Sequence, residues 1–325
     1  MKIYNITEAL SSYFNNYLKL QRNVSNNTII SYKYTFKLLI KYLINNNITT
    51  LKDFFFNDFT RENILDFLND VESKTSISTR NQRLAAIKSF CQYLQYEPIE
   101  HLNQIQKILK IRMKKFPIKE IDFLTKEELT LYLNSINTDN KKGIRDYTLI
   151  SFLYETGARI NEVINVKICD LQLNDNYNVL LHGKGNKLRR VPITNELKNM
   201  LLKYINAFRL NSTSYLFQGQ KSQKASTKMI THIVKKYANK SKINKNIHPH
   251  VFRHTRAMHL LDAGLTLVDI RDILGHASIK TTEIYLKINI ELKRNAILNV
   301  YKNNDSFEES SWIKDENILK ELLDL

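Results

Sequence analysis

Apolar residues recur every three to four positions through most of the first hundred residues, the spacing that lines one side of an α-helix. Residues 7–21 place Leu10, Phe14, Tyr17 and Leu18 on one stripe, and residues 27–43 repeat the pattern with Ile30, Tyr34, Leu38 and Tyr42. Thr60 caps a third segment over 61–71, with Ile64, Leu65 and Leu68 inward. A fourth begins at Ser78, its buried side marked by Leu84, Ile87, Phe90, Cys91 and Leu94, while Arg80, Arg83 and Lys88 fall mostly on the other faces. Four amphipathic helices of this length make a small bundle with a core of its own, spanning residues 1–110.

The periodicity breaks over residues 111–121. Within it, residues 112–119 pack four cations and a proline into a short run, which reads as a basic interdomain linker lying along a phosphate backbone through Arg112, Lys114 and Lys115. A merely solvated basic loop fits the same residues. A second domain, 122–303, opens at a capping box, Thr125-Lys126-Glu127-Glu128, ahead of Leu129, Leu131 and Leu133. It is helical except around residues 177–193, where two apolar runs flank Gly183-Lys184-Gly185-Asn186 as in a β-hairpin. The fold class is thus mainly α with a small β-hairpin. Residues 304–325 form an acidic tail in which Ile318, Leu319, Leu322 and Leu323 share one side of a short helix. Such a helix suits docking into a groove of a neighbouring subunit, or packing on its own domain.

Charge sharpens this picture. The chain of 325 residues carries a formal net charge of +17, which favours a polyanionic partner. Because residues 305–325 hold seven acids against two lysines, the basic surface belongs to the body. Two cysteines, Cys91 and Cys169, make neither a disulfide framework nor a thiolate cluster. With no apolar leader and no long apolar run, a cytoplasmic protein without membrane contact is expected.

Several short motifs bear chemistry. Arg159 follows the turn Thr156-Gly157-Ala158, and Glu162, one helical turn on, is placed to hold its guanidinium in a fixed plane; an ordinary surface pair fits too. Lys184 occupies the hairpin tip, where flanking glycines let an ammonium approach a ligand, beside Lys187, Arg189 and Arg190 as candidate backbone contacts. His250 and Arg253 share a helix face while Phe252 turns inward. His250 and His254 have the i,i+4 spacing of a metal pair, but no glutamate follows the first histidine and no third ligand is evident. His254 and His259 read as packing or capping residues. Gly275 ends a helix and leaves His276 at a turn, with Tyr285 nine residues on. Among seventeen tyrosines, composition does not single this one out.

Four boxes do: R-I-N-E (159–162), H-V-F-R-H-T (250–255), L-G-H-A (274–277) and T-x-x-x-Y (281–285). In order and approximate spacing they resemble the signature of the tyrosine recombinase, or phage integrase, family. The runs NNTIISYKYTFKLLIKYL and STRNQRLAAIKSF look like its N-terminal core-binding domain, and the whole is most similar to Xer-like recombinases of transposons and other mobile elements. The resemblance implies a four-helix, SAM-like core-binding domain ahead of a mixed α/β catalytic domain. It also implies catalytic roles for Arg159, Lys184, His250, Arg253, His276 and the nucleophile Tyr285, with Glu162 in support.

The activity implied by the resemblance is site-specific recombination of double-stranded DNA through a covalent 3′-phosphotyrosine. A phenol with a pKa of about 10 is a weak nucleophile, and the surplus of fixed cations supplies the electrostatic help without metal or other cofactor. DNA contacts fall to Arg80, Arg83, Lys88, Arg112, Lys114, Lys115, Lys187 and Arg189, and the partners are DNA and further recombinase subunits in a tetrameric synapse. A type IB topoisomerase and a non-catalytic DNA-binding accessory protein are the rival readings.

Overall fold

The computed structural model describes residues 6–50, 54–95, 102–116, 121–183, 187–219, 223–276, 278–279 and 282–288. The chain divides into two compact units, Met1–Ile118 and Lys119–Leu325.

The described part of the first unit is mainly helical. Helix α1 (Ile6–Ser12) continues into a wider π-helical stretch (Tyr13–Gln21), followed by α2 (Asn26–Asn45), α3 (Arg61–Lys74), α4 (Ile77–Leu94) and α5 (Leu102–Leu109). Side-chain oxygens start three of them: Ser25 accepts from the Thr28 amide, Thr60 from Asn63 and Ser76 from Thr79. The fourth helix thus begins at Ile77, ahead of the expected Ser78. Phe90 anchors the core, meeting Tyr13, Phe36 and Phe59 edge-to-face. The apolar periodicity predicts four helices; α5 is a fifth, laying Ile105 and Ile108 on that core while Gln104 donates to the carbonyls of Phe56 and Phe59. Ile111 is buried with them, and the Lys114 backbone exchanges hydrogen bonds with the Asn81 amide, so the start of the basic segment packs on this unit.

The structure corrects two expectations in this unit. In α2 the buried residues are Ile29, Phe36, Leu39 and Leu43, whereas Ile30 and Tyr34 are exposed. Both faces of this helix carry apolar side chains, and the one bearing Phe36 turns inward because a phenylalanine leaves no hydroxyl to satisfy. Arg80, placed by its sequence position among DNA contacts, is only 3% exposed, its Nε 3.3 Å from the Glu72 carboxylate but not aligned for a hydrogen bond. Glu72 also binds Lys114 at 2.7 Å. Arg83 is half-buried, donating to Thr35 and lying over the Tyr34 ring.

The second unit holds α6 (Lys126–Asn134), α7 (Lys141–Thr156), α8 (Ile160–Val163), strands β1 (Leu171–Gln172), β2 (Asn178–His182) and β3 (Leu188–Pro192), then α9 (Asn195–Phe208), α10 (Thr227–Ser241), α11 (Pro249–Asp262), α12 (Leu267–Leu274) and α13 (Glu283–Ile288). The capping box forms as expected: Thr125 accepts from the Glu128 amide and the Glu128 carboxylate from the Thr125 amide. The three strands make one antiparallel sheet in chain order, with β2 and β3 as the expected hairpin. Its inner face is built by alternation: Val179 opposes Val191, and one step on Leu181 opposes Arg189. A core around Phe152, Phe217, Phe252 and Tyr132 joins the sheet to the helices. His259 acts as a structural link, its Nε2 facing the Leu124 carbonyl and its Nδ1 the Tyr154 hydroxyl, so Nε2 carries the proton and Nδ1 accepts.

Arg80→Ala is expected to destabilise the first unit by about 2–3 kcal/mol in urea denaturation, a little below the cost of breaking a fully buried pair because Glu72 retains Lys114. A loss under about 0.5 kcal/mol, the usual size for a surface substitution, contradicts a structural role for Arg80.

Candidate active site

The carbonyl end of α12 gathers three arginines from three other parts of the fold. Arg189, on β3, donates through Nε to the Ile273 carbonyl at 2.9 Å. Arg253, on α11, donates to Leu274 at 2.8 Å, and Arg159, which caps the start of α8, donates to Gly275 at 3.2 Å. Successive carbonyls at a helix C-terminus have no intrahelical partner and carry the negative end of the helix dipole, so they are natural acceptors for cations. Gly275 makes the stop possible, with φ +65° and its α-carbon so close to the Arg189 guanidinium that a β-carbon would lie 2.8 Å from Nη1. Gly157 plays the matching part under Arg159: φ is +56°, and a β-carbon would meet Leu274 at 2.5 Å.

Glu162 ties the cluster together. Its carboxylate accepts from Arg159 Nη1 at 3.0 Å and takes a two-pronged contact from Arg189 at 3.0 and 2.7 Å, while also accepting from the Arg159 amide. Burial pushes this carboxyl up, but the Arg189 hydrogen bonds and charge, with Arg159, outweigh burial and hold it below the usual carboxylate range. The three guanidiniums differ in access. Arg159 is 35% exposed and keeps donors open to solvent. Arg253 is 4% exposed and also donates to the Gly157 carbonyl. Arg189 is 12% exposed.

The imidazoles border this cluster. His250 opens the first turn of α11, where Pro249 pre-sets the backbone; its ring stays exposed beside His248. Partial burial, then His248, Arg253 and Arg159, hold it below the ordinary histidine value. His276 shares a hydrogen bond with Thr282 at 2.8 Å, and burial, Arg253 and Arg159 lower it to about 4. Tyr285 lies on α13 with its ring stacked 6.5 Å from His276. The tyrosine is 1% exposed, packed with Met258, Leu261 and Ile270. Its hydroxyl meets Nδ1 of His254 at 2.9 Å. Burial raises the phenol pKa, against an opposing pull from Arg253 and Arg159.

The structure therefore brings Arg159, Glu162, His250, Arg253, His276 and Tyr285 to one place. Two residues belong there that the sequence pattern puts elsewhere. His254, expected to pack or cap, touches the Tyr285 hydroxyl. Arg189, expected to contact DNA, is tied into the cluster. The signal for Arg189 is its place on β3: one step from Arg190 and two from the buried Val191, it shares the strand's inner face. Lys184 and residues 304–325 lie outside the described residues. The base of the hairpin is closed by the Gly183 amide on the Lys187 carbonyl, and Lys187, Arg112, Lys114 and Lys115 are exposed while Lys88 is half-buried.

Comparison with known proteins gives the family. The pattern of the phage integrase family matches residues 122–291, and that of the phage integrase N-terminal SAM-like domain matches residues 12–97. The chain is 32% identical to a tyrosine recombinase of Pseudothermotoga lettingae, covering 89% of this chain and 97% of that protein. It is 30% identical to tyrosine recombinase XerC of Bacillus subtilis over 88% and 93% of the two chains. Its fold matches the site-specific recombinase XerH in a post-cleavage complex with its palindromic difH substrate, with a TM-score of 0.70 and 24% identity over 88% and 84%. With more than half of the chain matched and the boxes assembled in space, the chain belongs to the phage integrase family, the tyrosine recombinases, which break and rejoin DNA through a tyrosine in site-specific recombination.

Proposed function

We propose that Tyr285 is the nucleophile of this recombinase and that the arginine cluster at the end of α12 is its phosphate pocket. The carrying observation is the convergence of Arg159 and Arg253 on adjacent carbonyls of α12 beside the Tyr285 ring. In the step proposed, the phenolic oxygen bonds to a scissile phosphorus and the bond to the 5′ oxygen breaks. Tyr285 is left as a 3′-phosphotyrosine and a 5′-hydroxyl departs. Lys184 supplies that hydroxyl's proton, and His250 accepts the phenolic proton directly or through water. Arg159, Arg253 and His276 stabilise the charge on the phosphoryl oxygens in flight. A 5′-hydroxyl from a second duplex then displaces the tyrosine, so the linkage energy is conserved.

Recombining two duplexes requires cutting four strands, and each tyrosine remains bonded to the strand it cuts. Four subunits, identical or related, therefore make up the synapse, with the exposed cations of residues 112–115 and Lys187 on phosphates. With DNA as substrate, the enzyme works in the cytoplasm. A type IB topoisomerase reading is not favoured, because the SAM-like domain and the relatives are those of recombinases.

The phenol in this state is enclosed, so attack requires α13 to shift and the His254 contact to break.

Two outcomes test this reading. Tyr285→Phe is expected to abolish the covalent adduct on nicked duplexes, read by denaturing electrophoresis, while changing DNA affinity by less than about threefold; an adduct that persists removes Tyr285 as nucleophile. The second outcome concerns pH. Burial first, then the charges of neighbouring histidines and arginines, hold His254 and His276 at about 4 against the ordinary 6.5, so below pH 6.5 the unfolded chain binds more protons than the native one. Stability is then complete above about pH 6.5 and falls as pH drops toward 4. The variant with both histidines changed to Asn should show a flatter urea-midpoint profile across that window; an identical profile contradicts the assigned environment.

A further inference from the structure

Arg189 makes three side-chain hydrogen bonds, more than either Arg159 or Arg253, yet nothing in the proposed chemistry uses it. Its three guanidinium nitrogens are all engaged: Nε on the Ile273 carbonyl, Nη1 and Nη2 on the two oxygens of Glu162. The side chain enters from the inner face of β3, opposite Leu181, so it approaches from beneath the phosphate pocket. Gly275 makes room for it, since a β-carbon there would lie 2.8 Å from Nη1. A charge in such a position is costly unless paired, and Glu162 pairs it.

We propose that Arg189 is a positioning residue for cleavage: it fixes Glu162, and through Glu162 the plane of the Arg159 guanidinium, while pinning the base of the Lys184 hairpin to the end of α12. This role rests on the functions proposed for Arg159 and Lys184. Without Arg189, Glu162 keeps only its two bonds from Arg159, one from the backbone amide and one from Nη1, and β3 loses its hydrogen bond to the Ile273 carbonyl. A lysine cannot replace it, because one ammonium cannot span a two-pronged carboxylate contact and a carbonyl at once.

The alternative for this residue is a DNA phosphate contact, and the two roles separate experimentally. Arg189→Ala, Arg189→Lys and Glu162→Gln, with the double variant Arg189→Ala/Glu162→Gln, would be compared with the unaltered protein in two assays. One is DNA affinity against salt concentration; the other is single-turnover formation of the covalent adduct on nicked duplexes at saturating enzyme. For Arg189→Ala and Arg189→Lys alike we expect adduct formation slowed at least a hundredfold. The slope of log affinity against log salt should stay unchanged, and the loss in the double variant should be less than the product of the single losses. Added guanidinium ion should recover part of the Arg189→Ala rate. The inference is overturned if the salt slope falls by about one unit while bound DNA is still cleaved at the normal rate, the signature of a lost phosphate contact. Full activity of Arg189→Lys, or independent effects of the two substitutions, would overturn it as well. Should Arg189→Ala fail to fold, Arg189→Lys carries the comparison alone. Adduct formation by the unaltered protein is the reference: its absence would count against Tyr285 chemistry, not against Arg189.

Discussion

Three guanidiniums in one small volume repel one another, and the site exists because the carbonyl end of a single eight-residue helix absorbs them. Arg189, Arg253 and Arg159 donate in turn to Ile273, Leu274 and Gly275. The compensation is incomplete by construction. One carboxylate, Glu162, and a helix terminus worth about half a negative charge leave the cluster with a surplus of roughly one and a half positive charges. In the proposed reaction, a phosphodiester passing through its displacement supplies the missing negative charge at the moment it is greatest. The pocket is therefore stable enough to fold and electrostatically unfinished until DNA arrives.

The proposed nucleophile is governed separately. Tyr285 belongs to a small apolar cluster of α11, α12 and α13, and its hydroxyl meets His254, one residue along from Arg253. Burial disfavours the phenolate while Arg253 and Arg159 favour it, so the protein keeps a neutral phenol beside the charges proposed to activate it. In the proposed reaction, attack then depends on moving α13, which couples the chemistry to whatever repositions that helix.

Much of this is legible in the residues themselves. The buried stripe of α4, the Thr125 capping box, the hairpin and the helix stop at Gly275 follow from local rules that the tertiary structure does not override. Where apolar residues line two faces, as in α2, periodicity does not decide which is buried, and the choice of Phe36 over Tyr34 requires the aromatic core to be assembled. Arg80 escapes sequence logic because a long side chain can turn under its helix to reach Glu72. Arg189 escapes it because a cation beside a basic hairpin invites a phosphate, although strand alternation already turns it inward. His254 carries no signal of its own: its contact with Tyr285 joins residues from different helices. The boxes identify Tyr285, and only the packed structure gives its enclosure.

The claim that the end of α12 organises the arginines can be tested with two glycines of similar backbone demand. Gly275 and Gly264 both adopt positive φ, +65° and +88°, but a β-carbon at Gly264 meets nothing within 4 Å whereas one at Gly275 runs into Arg189. Single-turnover adduct formation by Gly275→Ala and Gly264→Ala, at matched thermal stability, isolates the contact from the strain. The account predicts that Gly275→Ala cleaves at least a hundredfold more slowly than Gly264→Ala at equal DNA affinity; equal cleavage by the two variants would contradict it.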